Sequence, residues 1–245
     1  MKTAANTVLV TGGASGIGLA LAERFLRAGS EVIICGRRED KLQEAQRQHP
    51  KLKIRVCDVA LEAERTALFT WATRTFPRLN VLINNAGIQR RVQVAELGAW
   101  EEARQELAIN VEAPLHLSGL FIPHLLQQER PAIVNVTSGL AFAPLAGVPV
   151  YSATKAALHS FTLSLRHQLS ATPIEVVEII PPAVRTDLGG PGLHDFGVPL
   201  DEFADAVVAR LDGGELEIGY GSAEQSRRAS REQLDEMFKR LNTSR

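Results

Sequence analysis

The chain has 245 residues, 45% of them hydrophobic and 22% charged, which is enough to bury a large core in one α/β domain spanning 1–245. A formal net charge of −1 lacks the basic signature of a nucleic-acid or anionic-lipid binder, so a small molecule is the expected partner. The opening MKTAANTVLVTGG carries neither a secretory cleavage signal nor an apolar run of about 20 residues, which predicts a cytoplasmic protein without a membrane association.

In chain order, β-branched runs at 7–10, 31–35, 52–57, 80–84, 132–138, 174–180 and 215–219 predict seven strands. Amphipathic stretches at about 16–28, 39–48, 62–75, 98–127, 150–170 and 201–211 predict the helices between them, with Gly29, Pro50 and Pro77 as stop signals. Strands that are apolar throughout and separated by helices imply a doubly wound parallel sheet with helices on both faces. No repeat or linker marks a domain boundary. The final stretch 222–245 is charged, yet Leu234, Met237, Phe238 and Leu241 share one helical stripe, so a helical extension docked on its own chain or on a partner is expected. Cys35 and Cys57 close two predicted strands and read as reduced core thiols. The His residues show no metal-ligand spacing, and His159 and His167 read as packing or surface residues; no metal is expected.

TGGASGIG at 11–18 follows the first strand and opens the first helix. Its glycines stand where the chain turns sharply and where side chains would keep a pyrophosphate from the helix N-terminus, so the turn residues Gly12, Ser15, Gly16, Ile17 and Gly18 form a candidate dinucleotide site. The competing phosphate-loop motif needs a Lys and a Ser or Thr after its last Gly, and Ile17, Gly18 and Leu19 offer neither. A glycine turn without a ligand is the bland alternative. The second strand ends in CGRRED: Gly36 occupies the position where a carboxylate would bind the ribose of NAD, and Arg37 and Arg38 follow with planar cations suited to a 2′-phosphate. NADP(H) is therefore favoured over NAD(H). The alternative is that the two arginines begin a solvated helix, balanced by Glu39 and Asp40.

YSATK at 151–155 sets Tyr151 and Lys155 on one helical face. Upstream, NNAG at 84–87 ends the fourth strand, Asn110 lies in the following helix, and Ser138 ends the fifth strand thirteen residues before Tyr151. In this order, and together with TGGASGIG, these motifs resemble the short-chain dehydrogenase/reductase family over about residues 6–220. The resemblance implies a Rossmann-like fold. It makes Ser138, Tyr151 and Lys155 catalytic and Asn110 the anchor of a water-mediated proton relay. It places Asn84, Ala86, Gly87, Tyr151 and Lys155 beside the cofactor, Asp58 and Val59 beside the adenine, and Val184 and Thr186 at the nicotinamide carboxamide.

A phenol titrates near pH 10, so a cation such as Lys155 is expected to stabilise its ionised form. By the resemblance Lys155 also holds the nicotinamide ribose and Ser138 the substrate oxygen. In reduction, hydride reaches the carbonyl carbon while Tyr151 protonates the oxygen, and alcohol oxidation runs the same path backwards. Two departures stand out. Pro182 in PPAVRT replaces the usual Gly after strand six and, with no N–H and a fixed φ, is expected to alter that loop; Ser15 stands where many NADP-preferring relatives carry a basic residue. The segments 88–94, 139–150 and 187–200, expected around the open end of the site, are largely apolar and suit a small or medium apolar carbonyl compound, with Arg90 and Arg91 as a candidate anion contact or a solvated surface. CGRREDKL and LNVLINNAGIQR look like a bacterial subgroup associated by name with lipoteichoic-acid D-alanylation, but no residue here carries chemistry specific to that process.

The expected protein is a reversible NADPH-dependent carbonyl reductase, assembled as a homodimer or homotetramer through the helices at about 98–127 and 150–170. The competing class is a non-catalytic dinucleotide sensor or scaffold, for which loss of Tyr151 or Lys155 would be the sign. An epimerase or dehydratase on the related extended fold would need a larger C-terminal domain than the roughly 60 residues after PPAVRT.

Overall fold

The β-branched runs assemble as expected into one parallel sheet, seen here in a computed structural model that describes residues 1–95 and 99–243. The strands are β1 (Thr7–Thr11), β2 (Glu31–Gly36), β3 (Lys53–Val56), β4 (Val81–Asn84), β5 (Ala132–Val136), β6 (Glu175–Ile180) and β7 (Glu217–Gly219). The helices are α1 (Gly16–Arg27), α2 (Glu39–Gln48), α3 (Glu62–Thr75), α4 (Ala99–Leu107), α5 (Ala113–Leu125), α6 (Pro149–Gln168), α7 (Leu200–Asp212), α8 (Ser222–Arg228) and α9 (Arg231–Asn242).

The sheet runs β3-β2-β1-β4-β5-β6-β7, with Thr7 opposite Glu31 on one side of β1 and Val8 opposite Val81 on the other. The winding reverses between β1 and β4, and the loops leaving those two strands therefore diverge and open a crevice at their carboxyl ends. Alternate residues of each strand feed two cores. Val8, Val10, Ile34 and Val134 face Leu21 and Phe25 of α1 and Phe203 and Val207 of α7. Leu9, Ile33, Leu82 and Ile133 face Leu68 of α3, Leu117 and Phe121 of α5 and Leu165 of α6. Phe25, Phe121 and Phe203 are fully buried, and cutting any one to Ala would cost about 3–5 kcal/mol.

Most strand ends shift by a residue or two, and three changes matter most. Strand five stops at Val136, strand seven begins at Glu217, and the single helix expected at 98–127 is two helices joined by a π-helical turn, Ala108–Glu112, in which Ala113 N donates to the Ala108 carbonyl. Pro114 supplies a local cause: four residues after Asn110, it has no N–H to close an α-helical bond onto the Asn110 carbonyl. Residue 98 of that expected helix and residues 244–245 of the C-terminal extension lie outside the described residues. The extension docks on its own chain as α8 and α9. Asn242 of α9 accepts a bond from Ala146 N at 2.7 Å and donates to the Pro144 carbonyl at 3.1 Å, while Leu234 and Met237 are half-buried and Phe238 and Leu241 remain exposed. Among the described residues no helix is long and apolar enough to cross a membrane.

Candidate active site

The loop after β1 carries the glycine turn into the crevice. Gly16 has φ +54°, a left-handed conformation that favours glycine, and it begins α1. A Cβ on Gly18 would come within 2.3 Å of Asn85 Nδ2 and 2.5 Å of the Gly12 carbonyl, so only glycine lets α1 approach the β4 loop this closely. Asn85 fastens the turn, donating to the carbonyls of Thr11 at 2.9 Å and Gly12 at 3.1 Å, while Thr11 Oγ1 accepts from Asn85 N and Ala86 N at 3.0 Å each. No acidic residue stands in the first turn of α1, and the Ser15 side chain makes no cap bond, which leaves N–H groups and the positive helix end aimed at the crevice. A pyrophosphate fits this cradle in shape and charge.

One strand over, β2 ends at Gly36, where an added Cβ would meet nothing within 4 Å. Arg37 and Arg38 are exposed, and Arg38 Nη2 reaches across to Ser15 Oγ at 3.1 Å, so a guanidinium lies at the lip of the glycine turn. Asp58 and Val59 follow β3 on the same rim. Asp58 Oδ1 accepts from Ala60 N at 3.0 Å and Asp58 N donates to Glu64 Oε2 at 2.5 Å, which fixes the rim's shape.

Across the crevice, Ser138, Tyr151, Lys155 and Asn110 come together, each no more than 7% exposed. Ser138 caps the short turn after β5 by accepting from Leu140 N at 3.1 Å. Tyr151 and Lys155 occupy the first turns of α6, and the Lys155 ammonium reaches the end of β5 to donate to the Val136 carbonyl at 2.8 Å, lying 5.6 Å from the centre of the Tyr151 ring. Asn110, in the π-helical turn, straps the β4 loop to α6: its Nδ2 donates to the Ile88 carbonyl at 2.8 Å and to Thr154 Oγ1 at 3.1 Å, and its Oδ1 accepts from Ile88 N at 2.9 Å. A Cβ on Gly87 would sit 3.5 Å from Asn110 Oδ1 and 3.6 Å from Lys155 Nζ, so the bare glycine opens the space between them.

Burial sets the charge balance. It pushes the Tyr151 phenol well above its ordinary value; a hydrogen bond with Ser138 works against that, and nearby Glu106 adds to it. Lys155 is lowered by burial to about 8, with Glu106 opposing. The lowering of Tyr151 expected from Lys155 is therefore not the prevailing effect in this arrangement, in which the phenol keeps its proton.

The loop after β6 completes the wall. In the loop that carries Pro182, Arg185 N bonds the Val198 carbonyl at 3.0 Å, Val184 is buried, and Thr186 Cγ2 lies 3.3 Å from where a Gly16 Cβ would be. Thr186 thus lies against the glycine turn. Asn84 is placed differently from its neighbours: its Nδ2 turns inward to Ser118 Oγ at 3.2 Å and Asn135 Oδ1 at 2.9 Å. Sequence reasoning passed over Thr11, Asn85, Thr154 and Glu106. The first three lie inside the quoted motifs TGGASGIG, NNAG and YSATK, and Glu106 stands one helical turn before Asn110, a spacing that places it on the same face.

This sheet, this glycine turn and this buried Ser-Tyr-Lys group define the class. The chain belongs to the short chain dehydrogenase family, whose model matches residues 6–194, and it is an oxidoreductase of that type. It is 49% identical over 251 aligned residues, 99% of each chain, to a Bacillus subtilis (strain 168) protein named uncharacterized oxidoreductase DltE. Among solved structures, a short chain dehydrogenase from Burkholderia cenocepacia J2315 in complex with NADP matches at TM-score 0.84 and 28% identity, covering 97% of this chain and 99% of that one. A 3-ketoacyl-(acyl-carrier-protein) reductase from Brucella melitensis complexed with NADH matches at TM-score 0.80 and 27% identity, over 89% and 97% of the two chains.

Proposed function

We propose that the protein is an NADP(H)-dependent carbonyl reductase that also oxidises secondary alcohols. The observation that carries this reading is the burial of Ser138, Tyr151 and Lys155 together beside the glycine turn, with the Lys155 ammonium held against the end of β5. The glycine turn and the α1 N-terminus would hold the pyrophosphate, Asp58 and Val59 the adenine, Ala86, Gly87, Val184 and Thr186 the nicotinamide end, and Arg37 and Arg38 the 2′-phosphate. A bound nicotinamide supplies or accepts the hydride. Ser138 orients the substrate oxygen, Tyr151 donates a proton to it in reduction and takes one back in oxidation, and Lys155 places a positive charge beside the phenol. Burial favours the protonated phenol, the form that donates in reduction. The main-chain carbonyl of Asn110, denied its α-helical donor by Pro114, is the anchor for the proton relay.

NADP(H) is favoured by the two arginines and by the missing carboxylate at Gly36; relatives of known structure bind either form, one NADP and another NADH. The reading includes a cytoplasmic homodimer or homotetramer, supported by exposed Leu126 after α5 and Leu163 on α6. A panel of ketones, aldehydes and secondary alcohols, followed by the absorbance of reduced nicotinamide with NADPH and with NADH, tests the activity. Turnover with NADPH that falls about 10²–10⁴-fold in Tyr151→Phe, while the cofactor still binds, is the expected result. Near-normal activity of Tyr151→Phe would remove the catalytic assignment, and absence of any turnover with intact cofactor binding would favour a dinucleotide sensor.

A further inference from the structure

Of the charged residues in α4, Glu101, Glu102 and Arg104 are exposed, whereas Glu106 is fully buried. Its Oε1 accepts from Arg90 N at 3.2 Å, and its Oε2 is buried with no hydrogen-bond partner. A half-satisfied carboxyl in such a place is costly unless an opposite charge offsets it. Asn110, one helical turn beyond Glu106, flanks the bare Gly87 together with Lys155, since a Cβ there would lie 3.5 Å from Asn110 Oδ1 and 3.6 Å from Lys155 Nζ; Lys155 is buried, and its ammonium has three N–H donors and gives one of them to Val136. Glu106 and Lys155 are thus incompletely satisfied, opposite charges, and they approach the site from α4 and α6.

We infer that Glu106 is the internal counter-charge of the Lys155 ammonium, a positioning residue that keeps Lys155 protonated beside Tyr151 at neutral pH. Four groups face it: Glu102 from its own helix, Arg90 from the loop after β4, and Tyr151 and Lys155 from α6. Burial raises Glu106 to about 7, opposed by the Arg90 N–H, the Arg90 guanidinium and Lys155, while burial lowers Lys155 to about 8, opposed by Glu106. The two values lie at neutrality and just above it. Across this range an ionised Glu106 favours ammonium, and loss of its charge lets the ammonium shed its proton at lower pH. No direct ion pair joins the side chains, so the coupling is through space and survives small movements of either one.

This inference rests on the proposed role of Tyr151 and Lys155, and its test needs no turnover. The chain has six lysines, so ¹³C-lysine NMR of the full protein gives few signals, and Lys155→Met identifies the one that matters. In wild type the Lys155 curve is expected to show a main step near 8 and a second inflection near 7 as Glu106 ionises. In Glu106→Gln the midpoint should fall by about one pH unit, a tenfold larger acid dissociation constant, and in Glu106→Asp it should stay close to wild type. An unmoved midpoint in folded Glu106→Gln overturns the inference. Should that variant not fold, a single-step Lys155 curve in wild type overturns it equally. An inactive wild type in the substrate panel fails the proposed function, whereas an uncoupled Lys155 curve fails this inference alone.

Discussion

Under the proposed function, cofactor choice would turn on very few atoms at the end of β2. Gly36 offers no carboxylate to the ribose hydroxyls, and Arg38 already lies against Ser15 at the lip of the turn. If Arg37 makes charge-assisted hydrogen bonds to a 2′-phosphate, Arg37→Ala should weaken NADPH by about 1.5–3 kcal/mol, roughly 10 to 150-fold, and leave NADH almost unchanged. The open space around Gly36 means that Gly36→Asp can be accommodated. It should favour NADH by adding an acceptor and repel the phosphate of NADPH. Dissociation constants for both cofactors across a salt series decide the matter, since screening should erode the NADPH advantage. Equal losses for both cofactors in Arg37→Ala would reduce the arginines to the solvated start of α2.

At the scale of elements, α6 must be locked to the sheet for Tyr151 and Lys155 to face Ser138. Beneath the site, His159 Nδ1 of α6 donates to Glu178 of β6 at 2.9 Å, and Glu178 accepts from Thr137, the residue before Ser138, at 2.6 Å. Glu178 is fully buried, and Phe142 packs against the imidazole with ring centres 4.6 Å apart. The hydrogen bond with Glu178 raises His159 above 6.5 despite burial; Glu217 adds to this and Arg166 opposes it. A raised folded value means that this contribution to stability is complete below about pH 6.5 and is lost as pH rises through the folded value. His159→Gln should therefore destabilise the protein by about 1–2 kcal/mol near pH 6 and by clearly less near pH 9. Urea midpoints of the two proteins at those pH values provide the measurement; a gap that does not narrow would mean that His159 acts only by packing.

For the molecule as a whole, four of the exposed apolar residues lie on α6, α9 and the end of α5, outside the crevice. Leu126 and Leu163 are 43% and 41% exposed, and Phe238 and Leu241 of α9 are 41% and 43% exposed even though α9 docks on its own chain. A second copy covering the α5 and α6 faces would remove the first pair from water. Light scattering at micromolar concentration is expected to give two or four times the chain mass of 26.7 kDa. A value equal to one chain would contradict the assembly and leave those leucines as isolated surface residues.

Local pattern was enough to read the alternating strands and helices, the glycine turn, and the shared face of Tyr151 and Lys155, because side-chain periodicity, turn chemistry and one-turn spacing are properties of neighbouring residues. Neighbouring residues do not reveal which way a side chain faces where an element ends. Asn84 and Asn85 are adjacent and identical, yet Asn84 closes β4 facing Ser118 and Asn135, while Asn85 lies past the strand end and fastens the glycine turn. Nor does local pattern reveal burial imposed by remote elements. Glu106 reads as one more acid in WEEARQEL, and only the packing of α4 against the β4 loop and α6 takes it out of water beside Lys155. Pro114 was visible from the start, but the π-helical turn it permits is completed by Asn110 bonding Ile88 and Thr154, which are 22 and 44 residues away. The fold and the types of group in the site can be read from local pattern, whereas their charge environment and orientation come from packing, because desolvation and through-space charge depend on residues that only folding brings together.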